Sequence, residues 1–429
     1  MLAGRPRRTP SRLDTQDLRG HVNDRLKTLL LLVLSSGLAL VAGEVGVRLL
    51  VPVDHNAYVL DDRTVYRFAP NTWTRFRRER SLGEDGFLIQ SNGLGYRGPE
   101  PDLAPGRQRI AVYGDSFIHA GFSPLEETFV QRLEDALRGR GRDVQVLNAG
   151  TNGYGPDQAS RRIEEELERI RPDLLVLAVY VGNDFGDLLR NKIYRLEEGT
   201  LVENDFVFHH KTRELFEAKA RLFSGDGLLD RSALVRTLKR LYFSWREARA
   251  RTPEDRPEQP ESDALQQQLN ARRREYRRYV LEGDNRVKIT PDSYDADVAL
   301  EPGSESARYR IALMEAVVER VRNLLAEHDV SLALLIIPAP TDVCDGHAGM
   351  QLVRFPEYTP SGPSDVLAGF ARARGIPYLD LFPVYQGPEC RSHYFRHPDN
   401  HWNGSGQALA AERMADLLAD LLQAVPAIN

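Results

Sequence analysis

Five short, nearly continuous apolar runs recur along the chain: RIAVYG from Arg109 to Gly114, VQVLNA from Val144 to Ala149, LLVLAVYV from Leu174 to Val181, LALLII from Leu332 to Ile337 and IPYLDL from Ile376 to Leu381. Runs of this length without alternation predict strands buried on both faces, as in a parallel sheet. Between them the apolar positions switch to helical spacing. Ser123-Pro-Leu-Glu126 reads as a capping box with proline at the first helical position, followed by Leu125, Phe129, Leu133 and Leu137 on one face. The same spacing recurs at Ala159, Ile163, Leu167 and Ile170, at Leu313, Val317, Val321 and Leu324, and at Ala410, Met414, Leu417 and Leu421. Strands alternating with amphipathic helices predict an α/β sandwich with right-handed crossovers.

Two stretches break the rhythm. Residues 186–306 separate the third strand from the next helix and form an insertion, with helix-like segments ELFEAKARLF and SALVRTLKRLYFSW and a polar, proline-rich stretch from Thr252 to Asp263. The cluster Arg272 to Arg278 (RRREYRR) reads as a solvated helix face. At the other end, Thr28 to Gly43 carries no charge, and after Glu44 the run VGVRLLVPV continues it. This predicts a membrane anchor over 28–51, with a secretory signal sequence as the alternative. Residues 1–27 carry Arg5, Arg7, Arg8, Arg12, Arg19, Arg25 and Lys27 against Asp14, Asp17 and Asp24, which predicts a cytoplasmic N-terminus. Residues 52–108 then read as an extracytoplasmic lead-in, and 109–423 as the catalytic domain in the periplasm.

Composition narrows the class. Of 429 residues, 41% are hydrophobic and 28% charged, enough for a sizeable core; a net charge of −5 leaves no broad basic face, so nucleic acid is not an expected partner. Cys344 and Cys390 are the two cysteines, too few for a zinc-type spacing. They are either one disulfide or two unrelated buried thiols.

The candidate chemistry sits at strand ends. Gly114-Asp115-Ser116-Phe117 puts a serine where the first strand leaves the carboxyl edge of the sheet, the edge at which open α/β sheets bind ligands. Asn148-Ala-Gly-Thr-Asn-Gly153 ends the second strand and Gly182-Asn183-Asp184 the third. A serine attacking a carbonyl builds charge on oxygen, and the Ser116 and Gly153 N–H groups with the Asn183 amide can supply the donors this requires. Near the C-terminus, His397-Pro-Asp-Asn-His401-Trp-Asn offers His401 as the base, with Asp399 two residues before it and on the same side of an extended backbone. Asp115 and Asp184 read as turn caps, Asp380 as a residue pinning a loop, and His393 and His397 as polar loop residues. No metal or cofactor is expected.

The ordered set G-D-S-F, N-x-G-x-x-G, G-N-D and D-x-H-W-N resembles the four blocks of the SGNH/GDSL hydrolase superfamily, and Asn92-Gly-Leu-Gly-Tyr-Arg97 resembles the N-x-x-G-x-R approach of its membrane-anchored bacterial members. The resemblance implies a flavodoxin-like three-layer sandwich with a five-stranded parallel sheet of order 2-1-3-4-5, carrying the largely helical insertion and the N-terminal membrane helix. It implies Ser116 as nucleophile, His401 as base, Asp399 as its orienting partner, and Ser116, Gly153 and Asn183 as oxyanion donors. The spacing D-x-H, in place of the usual D-x-x-H, is similar to that of alginate-type O-acetyltransferases. Expected substrates are therefore O-acyl esters of envelope carbohydrate or lipid. Hydrolysis is the first reading; O-acetyl transfer, with a membrane acyl-donor partner, is the alternative, and a non-catalytic glycan-binding protein a third.

Overall fold

The computed structural model describes residues 13–50, 58–76, 87–210, 213–214, 217, 232–250, 264–287, 294–344, 355–395 and 401–424. The stretch Thr252 to Asp263, most of ELFEAKARLF, His397 and Asp399 lie outside these residues. The strands of the main sheet are β1 (Gln108–Tyr113), β2 (Val144–Asn148), β3 (Leu174–Tyr180), β4 (Ser331–Ile337) and β5 (Tyr378–Asp380). The helices used below are α1 (Leu13–Leu50), α2 (Ser116–His119), α3 (Phe129–Gly139), α4 (Pro156–Ile170), α5 (Asp184–Asn191), α6 (Ala233–Ala250), α7 (Glu305–Glu327), α8 (Gly362–Arg374) and α9 (Gly404–Ala424).

The chain divides into two compact units, one of residues 1–53 with 224–250, the other of 54–223 with 251–429. The first holds α1 and α6. Its stretch Arg25–Arg48 has a mean hydropathy of 2.0 and is long and apolar enough to cross a membrane.

In the second unit the five strands are all parallel and run in the order β2-β1-β3-β4-β5. This is the order the resemblance implies. Side chains alternate between two cores. Ile110, Val112, Val176, Ala178, Leu335 and Ile337 pack against Phe129, Leu133 and Leu137 of α3 and Ala410, Met414 and Leu418 of α9. Ala111, Tyr113, Leu175, Leu177, Leu334 and Ile336 pack on the other face with Ala159, Ile163 and Leu167 of α4, Leu313, Val317 and Val321 of α7 and Leu367 of α8. Each fully buried aliphatic side chain is worth roughly 1.5–3 kcal/mol, which is why the strands read as unbroken apolar runs.

Three local expectations change. The capping box at Ser123 does not start a helix: α3 begins at Phe129, where Thr128 Oγ1 accepts the Gln131 N–H, while Ser123 Oγ accepts from Gln407 Nε2 at 2.6 Å. The insertion also contains β structure, an antiparallel hairpin of Tyr194–Glu197 with Thr200–Glu203. And the basic cluster 272–278 is only partly solvated. Glu275 meets the fully buried Arg310 at 2.9 Å, and Arg272 pairs with Glu275 at 3.2 Å.

The segment before β1 packs into the second unit, with Val65, Tyr66, Leu94 and Tyr96 joining the core on the α4 face. Cys344, just beyond β4, and Cys390 form a disulfide with Cα atoms 5.4 Å apart. It closes 46 residues of chain, for which the loop-entropy account gives about 4 kcal/mol. Denaturant unfolding of Cys390→Ser is expected to show a loss on that order, and reduction of the native protein the same loss.

Candidate active site

β1 ends in a turn so tight that a Cβ on Gly114 would lie 2.7 Å from Ile118 Cγ1 and 3.0 Å from Ala178 Cβ. Asp115 caps the helix that follows, its Oδ1 accepting the Phe117 N–H at 2.9 Å. Ser116 is thereby the first residue of α2, which ends four residues later as Ala120 takes a left-handed φ of 52°. The serine side chain points at the carboxyl edge of the sheet and meets His401: Nε2 lies 2.7 Å from Ser116 Oγ. The two residues are 285 apart in sequence.

The loop carrying His401 is held from several sides. Tyr394 and Trp402 bridge as neighbouring antiparallel positions, the Phe395 N–H donates to the His401 carbonyl at 3.0 Å and the Asn403 N–H to that of His393 at 3.0 Å. Asn403 Nδ2 donates to the Ser392 carbonyl at 2.7 Å, and its Oδ1 accepts the Ser405 N–H at the start of α9. The imidazole is flanked by the rings of Phe117 and Phe122, at centroid distances of 5.0 and 4.8 Å. A small cavity lined by Ser116, Phe122, His401, Trp402 and Gln407 opens beside the pair.

The glycine-rich block after β2 is fitted against α2. The Thr151 N–H donates to the Gly114 carbonyl at 3.0 Å and Asn148 Nδ2 to that of Ile118 at 2.9 Å. A Cβ on Gly150 would lie 2.4 Å from the backbone nitrogen of His119, so no other residue fits there without moving the backbone. Gly153 has a positive φ of 70°, which glycine adopts at no steric cost. Its carbonyl accepts from Tyr66 Oη at 2.8 Å and from the Arg190 guanidinium. The N–H groups of Ser116 and Gly153 have no acceptor among the described residues, so both remain available to a substrate oxygen. After β3, Asn183 Nδ2 donates to Asp187 Oδ2 at 3.4 Å, and Asp187 Oδ1 pairs with Arg190 Nη1 at 2.9 Å. One chain of polar contacts, Asn183 to Asp187 to Arg190 to Gly153, therefore links the second and third blocks.

Two buried arginines extend this support. Arg97 Nη1 donates to the carbonyl of His119 at 2.6 Å and to that of Ala120, and Nη2 donates to that of Ser123. It holds the carboxyl end of the helix that begins with Ser116. Burial lowers its pKa to about 10, with Glu126 opposing, so it stays cationic at neutral pH. Arg162 of α4 donates to the carbonyls of Ala149 and Leu94 and to Thr151 Oγ1, and pairs with Glu166 at 2.9 Å. His119 lies against Phe68 at 4.5 Å; burial first, then Arg97, push its pKa well down and keep it neutral.

Residues 297–428 match the SGNH hydrolase-like domain of the acetyltransferase AlgX. This stretch is SGNH hydrolase-like. The match spans β4, β5 and His401, whose Nε2 contacts Ser116 Oγ outside the matched stretch. The relation to that domain supports an esterase or acyltransferase. Among solved structures it is similar to the esterase EstA from Pseudoalteromonas sp., at 12% identity over 74% of this chain and 99% of that one, TM-score 0.35. It is also similar to the acetyl xylan esterase AlAXEase, at 12% identity over 73% and 99%, TM-score 0.35, and to a lipase/acylhydrolase from Enterococcus faecalis, at 12% over 75% and 99%, TM-score 0.35. No curated protein matches.

Of the residues singled out in the SGNH blocks, Ser116 and His401 come together, Gly153 and Asn183 stand on the loops after the two strands flanking β1, and Asp399 lies outside the described residues. Asp115 and Asp184 both cap turns, Asp184 Oδ2 accepting the Tyr180 N–H at 2.8 Å, and Asp380 Oδ1 pins the Phe382 N–H at 2.9 Å. Arg162, Asp187 and Arg190 were not legible as site residues. Asn183, Asp187 and Arg190 do share a helical i, i+4, i+7 spacing, a signal that marks one face of α5 without naming what it touches.

Several carboxyls around the SGNH sheet are buried. Asp342 accepts from Tyr294 and Tyr358 hydroxyls at 2.8 and 3.1 Å, yet burial pushes its pKa up to about 7; Asp295, which accepts the Gly186 N–H, is likewise raised to about 7 by burial. The folded state then keeps protons that the unfolded chain releases above its ordinary carboxylate pKa near 3.8, so these groups lower stability as pH rises from about 4 to 7. Melting temperatures of Asp342→Asn between those limits are expected to fall less steeply than those of the native protein. An unchanged slope would count against a protonated Asp342.

Proposed function

We propose that the chain is a serine-dependent acyl-ester enzyme working outside the cytoplasmic membrane, through an acyl-enzyme on Ser116. The observation that carries this is the 2.7 Å contact between Ser116 Oγ and His401 Nε2, set beside free backbone donors. His401 takes the proton from Ser116 Oγ as the oxygen attacks the ester carbonyl carbon. The N–H groups of Ser116 and Gly153 and the Asn183 amide take up the charge that forms on the carbonyl oxygen. Collapse breaks the ester C–O bond, and the leaving alkoxide receives the proton from His401. A second hydroxyl, of water or of an acceptor, then gives its proton to His401 and attacks the acyl carbon; the acyl C–Oγ bond breaks, and Ser116 Oγ takes the proton back from His401. Asp399 orients the imidazole in this scheme.

The substrates that fit this reading are O-acetyl esters of envelope carbohydrate or lipid, met by an enzyme that α1 anchors with its N-terminus inside. Hydrolysis is the first outcome. Acetyl transfer to a polysaccharide, with a membrane acyl donor as partner, is the second reading, favoured by the AlgX acetyltransferase match over 297–428. Purified protein incubated with acetyl-labelled polysaccharide and an unlabelled glycan acceptor separates the two. Label released as free acetate supports hydrolysis, and label on the acceptor supports transfer. Label left untouched by the native protein in both fractions sinks the proposal.

A further inference from the structure

Helix α6 presents an exposed apolar stripe. Leu238, Leu241, Tyr242 and Trp245 are 58%, 62%, 53% and 54% exposed, and their spacing of three and four places them on one face. Tyr242 and Trp245 stack with centroids 6.2 Å apart. Over residues 233–250 the sequence carries five arginines or lysines against one acid, Glu247. Monomeric soluble surfaces rarely leave such an apolar stripe open, and a basic segment with aromatics at its apolar edge has the chemistry of a membrane-surface helix.

The position of α6 on α1 says which surface it meets. Glu44 is the first charge after the apolar run 28–43, and it caps α6: its Oε1 accepts the Ala233 N–H at 2.8 Å, and its Oε2 accepts the Leu234 N–H at 2.9 Å and Ser232 Oγ at 2.7 Å. A carboxylate at a helix N-terminus satisfies donors that would otherwise be orphaned. Gly43 lets Leu234 close onto α1, Leu234 Cδ2 lying 3.4 Å from where a Cβ would stand. The helix therefore starts at the level where α1 leaves its apolar stretch, which for a spanning α1 is the boundary between acyl chains and headgroups.

We propose that α6 lies on the outer surface of the membrane beside α1, with Leu238, Leu241 and Trp245 in the headgroup–acyl boundary and the net positive charge of the segment attracted to anionic phospholipid. This rests on α1 being an uncleaved span. It makes the insertion a second attachment to the lipid surface: the chain passes between the units at 53–54, 223–224 and 250–251, so both ends of α6 tether the catalytic unit.

The test uses the full chain in phosphatidylethanolamine/phosphatidylglycerol vesicles with a fluorophore on one introduced cysteine, Leu34→Cys in α1, Leu241→Cys on the stripe or Lys239→Cys off it. Spin-labelled lipid is expected to quench at positions 34 and 241 and iodide at 239. Omitting phosphatidylglycerol is expected to weaken lipid quenching at 241, because each basic residue at an anionic surface is worth about 1 kcal/mol, roughly fivefold in binding. Iodide quenching at 241 equal to that at 239, with 34 still quenched by lipid, overturns the proposal and leaves the anchor standing. Protection of 241 from both quenchers means a protein covers the stripe, a second copy included, and also overturns it. Iodide access at 34 removes the anchor reading itself.

Discussion

Ser116→Ala is expected to lower turnover of an aryl acetate by at least about 10³-fold, with His401→Ala falling to a similar level and the double variant no lower than either. The two residues act as one unit: Oγ is a nucleophile only while Nε2, 2.7 Å away, can take its proton. Removing either therefore removes the whole gain, and the losses do not add. On the proposed mechanism, the donors that remain in both variants, the N–H groups at positions 116 and 153 and the Asn183 amide, account for whatever rate survives. A fluorophosphonate is expected to label the native protein and leave Ser116→Ala unlabelled. Full turnover in Ser116→Ala, with no labelling of the native serine, would refute the acyl-enzyme.

The second large effect is expected at Arg97. Its guanidinium is buried and satisfies the carbonyls of His119, Ala120 and Ser123, the end of the turn that begins at the nucleophile. Replacement by leucine leaves those acceptors buried without donors, at about 1–3 kcal/mol for each, so the melting temperature is expected to drop sharply. Arg97→Lys keeps the charge but loses the fork that reaches three carbonyls at once, and is expected to fold. If Arg97 positions Ser116, kcat of that lysine variant falls several-fold below native while KM is little changed, measured at a temperature where circular dichroism reports a folded protein. A lysine variant that is less stable yet has native kcat would reduce Arg97 to a purely structural part.

These effects also show how far the sequence could be read. Strands β1 to β4 were legible because they are buried on both faces, and double burial leaves a run of apolar residues that needs no partner to be recognised, while the edge strand β5 is only half-buried. Ser116 and His401 stood out because glycine, aspartate and serine at a strand end, and histidine before a late helix, carry chemistry in their residue types. Ser123 misled for the complementary reason. Its capping pattern is a local signal, while its hydroxyl is taken up by Gln407, 284 residues on, and Thr128 caps α3 instead. Arg97 could be flagged as part of a motif, but its partners could not be named, and Arg162 and Arg190 could not be told from surface arginines at all.

The sequence by itself determined the order of strands and helices, the apolar α1 and the residue types that could do chemistry, because periodicity and turn preference depend on neighbours a few residues apart. Only the tertiary structure decided that Ser116 meets His401, that Cys344 pairs with Cys390, and that Arg97, Arg162 and Arg190 lock the loops around the serine. Those outcomes depend on where the assembled sheet places residues tens to hundreds of positions apart. A buried charge is tolerated only where that packing supplies its partners.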